Sequence, residues 1–157
     1  MKLDDKVVQV IFDNAADSTV VTDKEGIIQF VNKAFTTITG YSSEEAIGKT
    51  PRILKSGEHE DSFYKEMWDK ILAGNKIRVT FINKRKNGEL YYHEEAITPV
   101  IEEGEIVGFV SCGRDVTELV QKNEELSEYV SFIDTVFETM SAQMAAYKLM
   151  KDIKYKK

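Results

Sequence analysis

Two histidines, His59 and His93, one cysteine, Cys112, and one tryptophan, Trp68, have the widest chemical repertoire in this chain. An imidazole titrates near neutral pH and coordinates metals, and a thiolate is a nucleophile. Their wide separation matches no metal-ligand spacing. Glu94 and Glu95 are adjacent, and neighbours on a strand point to opposite faces, so they form no carboxylate pair for acid–base work. No nucleophile–base arrangement or phosphate loop occurs, and no enzyme is expected. The chemistry left is recognition. The carboxamide of Asn83 carries both a donor and an acceptor, which suits the edge of a polar ring. His59 opens "HEDSFYKEMW", where it either grips a ligand or merely starts a helix. His93 sits in "LYYHEEAI", whose alternation leaves its face open.

The elements that must position these residues are legible in outline. Residues 5–16 carry Val7, Val8, Val10, Ile11 and Ala15, an amphipathic helix pattern. Two β-rich runs, 18–22 and 27–31, flank a Lys-Glu-Gly turn. "NKAFTTITG" predicts a short helix with Asn32 as cap and Gly40 as stop. In "SSEEAIG", Ser42 and Glu45 have the spacing of a capping box, and Pro51 breaks the chain again. Phe63, Met67 and Ile71 form a helical stripe over 61–72, closed by Gly74. Three strands follow, the first two joined through Asn87-Gly88, a strong hairpin signal. This order predicts an α+β fold: a five-stranded antiparallel sheet with flanking short helices, plus a long C-terminal coiled-coil helix. The expected organisation is an N-terminal helical cap at 1–17, a sensor domain at 18–117 and a coiled-coil helix at 118–157.

Bulk properties narrow the classes. The chain has 157 residues, 42% hydrophobic and 31% charged, with a net charge of −6. That charge argues against nucleic acid, whose phosphates need a concentrated positive field. Lys84-Arg85-Lys86 beside Asn87-Gly88 reads as a solvated hairpin tip. A single cysteine fits a reducing compartment, the start lacks the features of a signal peptide, and no stretch approaches the about 20 apolar residues of a membrane span. A cytoplasmic location is expected.

Beyond Gly113 neither glycine nor proline occurs. Leu119, Leu126, Ile133, Met140 and Tyr147 recur every seven residues, with Tyr129, Val136 and Met150 at matching d positions and Lys122 and Gln143 at the other two. The pattern fits a homodimer through Leu119, Leu126, Ile133 and Met140, most simply parallel, or a helix folded back on the domain's own sheet.

Four stretches in this order, "VTDKEGIIQFVNKAFTTITGYSSEEAIGKTPRILKSG", "FYKEMWDKI", "NKRKNGELYYHEEAITPV" and "GFVSCGRDVTE", resemble PAS sensor domains. The resemblance implies a sheet and helices enclosing a pocket for flavin, haem or another small ligand, in two-component or chemotaxis signalling. It points away from the light-sensing LOV branch, because that branch's reactive cysteine falls on Pro51 and its last-strand glutamine on Gly113. The nearest likeness is to redox-flavin and signalling-associated members. In a flavin reading, FAD would meet Asn83, Trp68 and His93, although a tryptophan of those proteins is replaced by Ile77. In a haem b reading, His59 would be the axial ligand, since its separation from Gly88 matches the haem sensors of the family. Arg114, Asp115 and Thr117 resemble the family's sheet-to-helix junction, where signal passes to a downstream domain or a separate transducer. The alternative is a ligand-free dimerisation scaffold whose core is filled by Phe30, Phe81 and Tyr92.

Overall fold

The computed structural model of the chain describes residues 4–155, and it divides into two compact units at Thr117 and Glu118. In the first unit, helix α1 (Asp5–Asn14) leads into strands β1 (Ser18–Asp23) and β2 (Ile28–Val31). Helices α2 (Lys33–Thr39) and α3 (Ser43–Ala46) follow, then a 3-10 turn (Pro51–Leu54) and α4 (Asp61–Leu72). Strands β3 (Ile77–Lys84), β4 (Leu90–Glu102) and β5 (Glu105–Asp115) complete the sheet. Its order is β2-β1-β5-β4-β3, antiparallel throughout, so the last strand lies at the centre and β2 and β3 are the edges.

Local chemistry fixes the connections. Asn32 caps α2 and is saturated: the N–H groups of Thr19 and Phe35 donate to its Oδ1, at 2.9 and 3.0 Å, while its amide donates to the Phe12 and Asp17 carbonyls. One buried side chain thus ties the end of α1, the start of β1 and α2 together. Ser42 and Glu45 close a capping box on α3. Gly40 ends α2 in the left-handed region, where a side chain would be strained.

The side chains facing the helices form two apolar clusters rather than one core. The first joins Val20, Ile28 and Val31 of β1 and β2 to Phe35, Ala46 and Leu54. The second joins Phe81, Ile97 and Phe109 of β3, β4 and β5 to Ile71 of α4. Of the three aromatics expected to fill a ligand-free core, only Phe81 is buried. Phe30 is 63% exposed, and Tyr92 lies on the opposite face from its buried neighbours Tyr91 and His93, because strand alternation sends it outward. Arg85 corrects a second expectation. It is no solvated hairpin-tip charge, but lies over the Tyr91 ring at 4.4 Å and donates to Asp115.

The second unit is part of one helix, α5 (Thr117–Tyr155), whose apolar residues Leu119, Leu126, Ile133 and Met140 are exposed. Among the described residues, no helix is long and apolar enough to cross a membrane.

Candidate functional site

The inward face of the sheet carries polar side chains where a purely structural core would carry apolar ones. Register puts them in successive rows. Asn83 faces Tyr91; Phe81 faces His93, which faces Asp115; Val79 faces Glu95, then Gly113 and Ser18; and Ile77 faces Ile97, then Ser111 and Val20. On central strand β5 the inward residues between the two apolar clusters are thus Ser111 and Gly113, both small. Glu95 and His93 lean across this gap: a Cβ at Gly113 would stand 2.5 Å from Glu95 Cγ and 2.9 Å from His93 Cε1.

His93 is 1% exposed, which settles the face that its sequence left open. Its Nδ1 lies 3.3 Å from a Glu95 oxygen but out of hydrogen-bonding line, and neither ring nitrogen has a partner among the described residues. The hydroxyls of Ser18, Thr22, Tyr64 and Tyr91 are also buried without partners. Each such group forfeits hydration at a cost of about 1–3 kcal/mol, so a buried group of this kind marks either a ligand site or strain. Burial, with the Glu95 carboxylate adding to it, pushes the Tyr91 phenol far above its ordinary value, and Asn83 and Arg85 offset only part of this. Tyr91 therefore stays a protonated donor. Asn83 is buried one row beyond His93, beside Tyr91. The arrangement offers donors and acceptors side by side, flanked by apolar walls.

Trp68 is not part of this group. Its ring packs edge-on against Phe109 at 5.6 Å and closes over the β1–β2 turn, where a Cβ at Gly26 would touch it at 3.0 Å. The Phe81, Val79 and Ile77 rows separate it from Asn83. Among the described residues no group of three or more His, Cys, Asp or Glu side chains could hold a metal ion. Cys112 is exposed on the outward face, its Sγ 3.7 Å from the Thr19 hydroxyl.

His59 sits just before α4 and serves the sheet. The Ile82 N–H donates to its Nε2 at 2.8 Å, Ser56 Oγ donates to the Ile82 carbonyl, and Lys55 bridges Asn83. Because β3 is an edge strand, these contacts close backbone groups that would otherwise be open. The imidazole stacks on Phe63 at 4.0 Å. An axial ligand to haem through Nε2 would first have to break the Ile82 bond. Burial holds the His59 pKa below its ordinary value, with Glu58 opposing. The unfolded chain then binds more protons than the folded one just below the ordinary histidine pKa, so stability is full above about pH 6.5 and declines as pH falls. Replacing His59 with Gln is expected to flatten the decline between about pH 6.5 and 5 and to cost about 1 kcal/mol at pH 7.5, read by urea denaturation at each pH. A parallel pH profile in the variant would refute the assignment.

The junction to α5 is built on Asp115. Arg85 donates to its Oδ2 at 2.6 Å, and the Thr117 hydroxyl and N–H donate to Oδ1 at 2.6 and 2.9 Å. Tyr92 N–H donates to Thr117 Oγ1, and Val116 N–H donates to the Tyr92 carbonyl, each at 2.9 Å. Arg85 also donates to the Ile38 carbonyl, linking the β3–β4 hairpin to the end of α2. Arg114 instead pairs with Glu94 on the exposed face at 2.8 Å. Asp115 lies one row-partner from His93, so the polar interior and the helix start share a strand pair. Sequence reasoning missed Arg85. The one available signal was the need of an inward Asp115 for a cation.

Residues 16–118 match a family described as PAS domain. The chain is 29% identical over 131 residues to the nitrogen fixation regulatory protein of Klebsiella oxytoca, covering 83% of this chain and 26% of that protein. It is 33% identical over 102 residues to a blue-light-activated histidine kinase of Brucella anthropi, covering 64% of this chain and 21% of that one. Among solved structures, an RNA-binding Light-Oxygen-Voltage receptor superposes with a TM-score of 0.73 at 22% identity, covering 81% of this chain and 37% of that chain. The chain thus spans about a quarter of the length of these curated relatives.

Proposed function

This chain belongs to the PAS domain family, and from that premise we propose that it is a sensory module. In this reading a small ligand or FAD is held against the inward polar face of the sheet, and its state is relayed through Asp115 and Thr117 into α5. The observation that carries it is the set of buried, unpartnered polar groups on that face, His93 foremost. A chain keeps such groups at a cost to stability when a ligand completes them.

FAD would supply redox chemistry. Toward it the chain offers the Asn83 carboxamide and the His93 nitrogens to a ring edge, Tyr91 as a protonated donor, and the Phe81 and Ile97 walls to exclude water. Trp68 stands apart from these contacts. Haem is disfavoured because Nε2 of His59 is engaged by Ile82. The reading is of a non-LOV member. Position 51 is proline, the single cysteine faces outward on β5, and a side chain at Gly113 would meet Glu95. Relatives and neighbours described as blue-light-activated or blue-light photoreceptors support a sensory role for the domain.

Relay has a physical route. A ligand that binds His93 differently in two states biases whichever arrangement of Glu95 and Asp115 suits it. We further propose a non-enzymatic, cytoplasmic module that forms a homodimer through α5 and acts on a downstream signalling domain or a separate transducer. A dimerising scaffold without ligand remains the second reading, favoured by the exposed apolar residues of α5. The test is the absorption spectrum of the purified chain before and after dithionite. Flavin bands that bleach on reduction are expected. A sharp Soret band would overturn the assignment to flavin, and a blank spectrum with no small molecule released on denaturation would favour the scaffold.

A further inference from the structure

We propose that the segment from Lys55 to His59 is an acid-released latch on the edge of β3, and that its release opens an entrance to the inward polar rows of the sheet. The latch stands on its own geometry; the entrance rests on the preceding reading of that face as a binding site. The segment runs between Leu54, buried in the first apolar cluster, and α4, which carries Ile71 of the second. It crosses from one cluster to the other at the β3 end of the sheet, beside Asn83. Three contacts fasten it there. His59 Nε2 accepts from the Ile82 N–H at 2.8 Å, Ser56 Oγ donates to the Ile82 carbonyl, and Lys55 bridges Asn83. Glu60, at the N-cap position of α4, makes no side-chain capping bond, so this end of the helix depends on the same contacts. Within the segment Gly57 holds φ at 100°, a conformation that glycine enters and leaves at little cost.

Of the three contacts, His59 is the one that acid can release. To accept at Nε2 its ring must be neutral, with the proton on Nδ1. Protonation adds a donor at Nε2, facing the Ile82 N–H, and the bond becomes a clash of donors. The surroundings do not offset this. Glu58 favours the imidazolium, but burial outweighs it and holds the His59 pKa below its ordinary value. Lys55, the base on the same segment, is held by Asp61 at 3.0 Å and over the Tyr64 ring at 4.7 Å. Toward the imidazole, α4 presents the Phe63 and Tyr64 rings, and β3 presents the edge of the Phe81 ring and the Ile82 N–H. Once released into water, His59 takes its proton near the ordinary value of about pH 6.5, whereas the latched ring takes it only at lower pH. Acid therefore favours the released state, by up to about tenfold at one pH unit below the ordinary value. Opening of an edge segment of this kind leaves the rest of the sheet paired. Phe81, which backs the latch, faces His93 across the β3–β4 ladder, so the freed edge leads to the buried imidazole.

The experiment follows the full chain, stripped of any bound small molecule, by NMR at about pH 7.5 and 5.5, either side of the ordinary histidine value. Hydrogen exchange at the Ile82 amide reports the latch. Broadening by a neutral gadolinium chelate reports the entrance through the ring signals of His93, which the spectrum of His59→Gln separates from those of the other histidine. In acid, protection at Ile82, corrected for the intrinsic exchange rate, is expected to fall by about threefold to tenfold while the β5 amides keep theirs, and His93 becomes accessible to the chelate. In His59→Gln, whose carboxamide accepts without titrating, both readings are expected to be the same at the two pH values. An unchanged protection at Ile82, or a fall shared equally by β5, would overturn the latch. A fall at Ile82 with His93 still shielded would overturn the entrance and leave the latch. Both readings are taken without ligand, so neither turns on whether a small molecule is found in the purified chain.

Discussion

Replacing Asp115 with Ala is expected to cost about 3 kcal/mol of unfolding free energy, read by urea denaturation at neutral pH. The carboxylate receives three charge-assisted or capping bonds, from Arg85 and from both groups of Thr117. Its removal leaves the Arg85 guanidinium, whose side chain is only 17% exposed, without its counter-charge. It also frees the Thr117 hydroxyl and N–H that begin α5. The acid side of the stability profile should follow. Burial would raise the Asp115 pKa, but the Thr117 hydroxyl, the Arg85 guanidinium and the Thr117 N–H outweigh it and hold the carboxyl below its ordinary value. The contribution is therefore whole above about pH 4 and is lost as pH falls through the depressed value. An Asp115→Asn chain, which keeps the shape and much of the cap, should lose this acid dependence while retaining more stability than the alanine. If alanine and asparagine both cost less than about 0.5 kcal/mol, the junction does not rest on this residue.

A side chain at Gly113 should be nearly as damaging, for a steric reason. An added Cβ would stand 2.5 Å from Glu95 Cγ, 2.8 Å from the Glu94 carbonyl oxygen and 2.9 Å from His93 Cε1. The Glu95 side chain could swing away, but the carbonyl belongs to the β4–β5 ladder and cannot move without opening it. Gly113→Ala is expected to cost about 2–3 kcal/mol and to displace His93 and Glu95 from the inward face. Its thermal midpoint should drop by several degrees. A stability within about 0.5 kcal/mol of the parent would mean that β4 and β5 have slack at the site, and the packing argument would fall.

The parts of the molecule that sequence made legible are those set by near neighbours. Asn32 as a cap, the Ser42–Glu45 box, the Asn87-Gly88 hairpin and the α4 stripe depend on residues within a turn of one another, and all are present. His59 was ambiguous because its partner, Ile82, lies 23 residues away on an edge strand whose position in the sheet no local pattern encodes. Arg85 looked like one of three hairpin charges for the same reason, its partner Asp115 being 30 residues distant. The face of His93 was illegible for a different cause. Tyr91, His93 and Glu95 all point inward, so β4 breaks the apolar-in, polar-out alternation by which a strand is read. Local rules fail where a chain spends stability on a site, and here they fail at the row that forms the candidate pocket. Trp68 illustrates the reverse. Its chemistry suggested a pocket wall, and its place is packing over Phe109 and the β1–β2 turn.

That exception points to the measurement most direct for the whole reading. If His93 is held for a ligand, the ligand-free chain carries it at a loss, and an apolar residue of similar size should relieve the loss. The unfolding free energy of His93→Leu, stripped of any bound small molecule, is predicted to exceed that of the equally stripped parent by about 1 kcal/mol, with ligand retention abolished. A His93→Leu chain that is less stable than the parent by 1 kcal/mol or about that much would show the imidazole to be structural, and the inward polar face would lose its standing as a binding site.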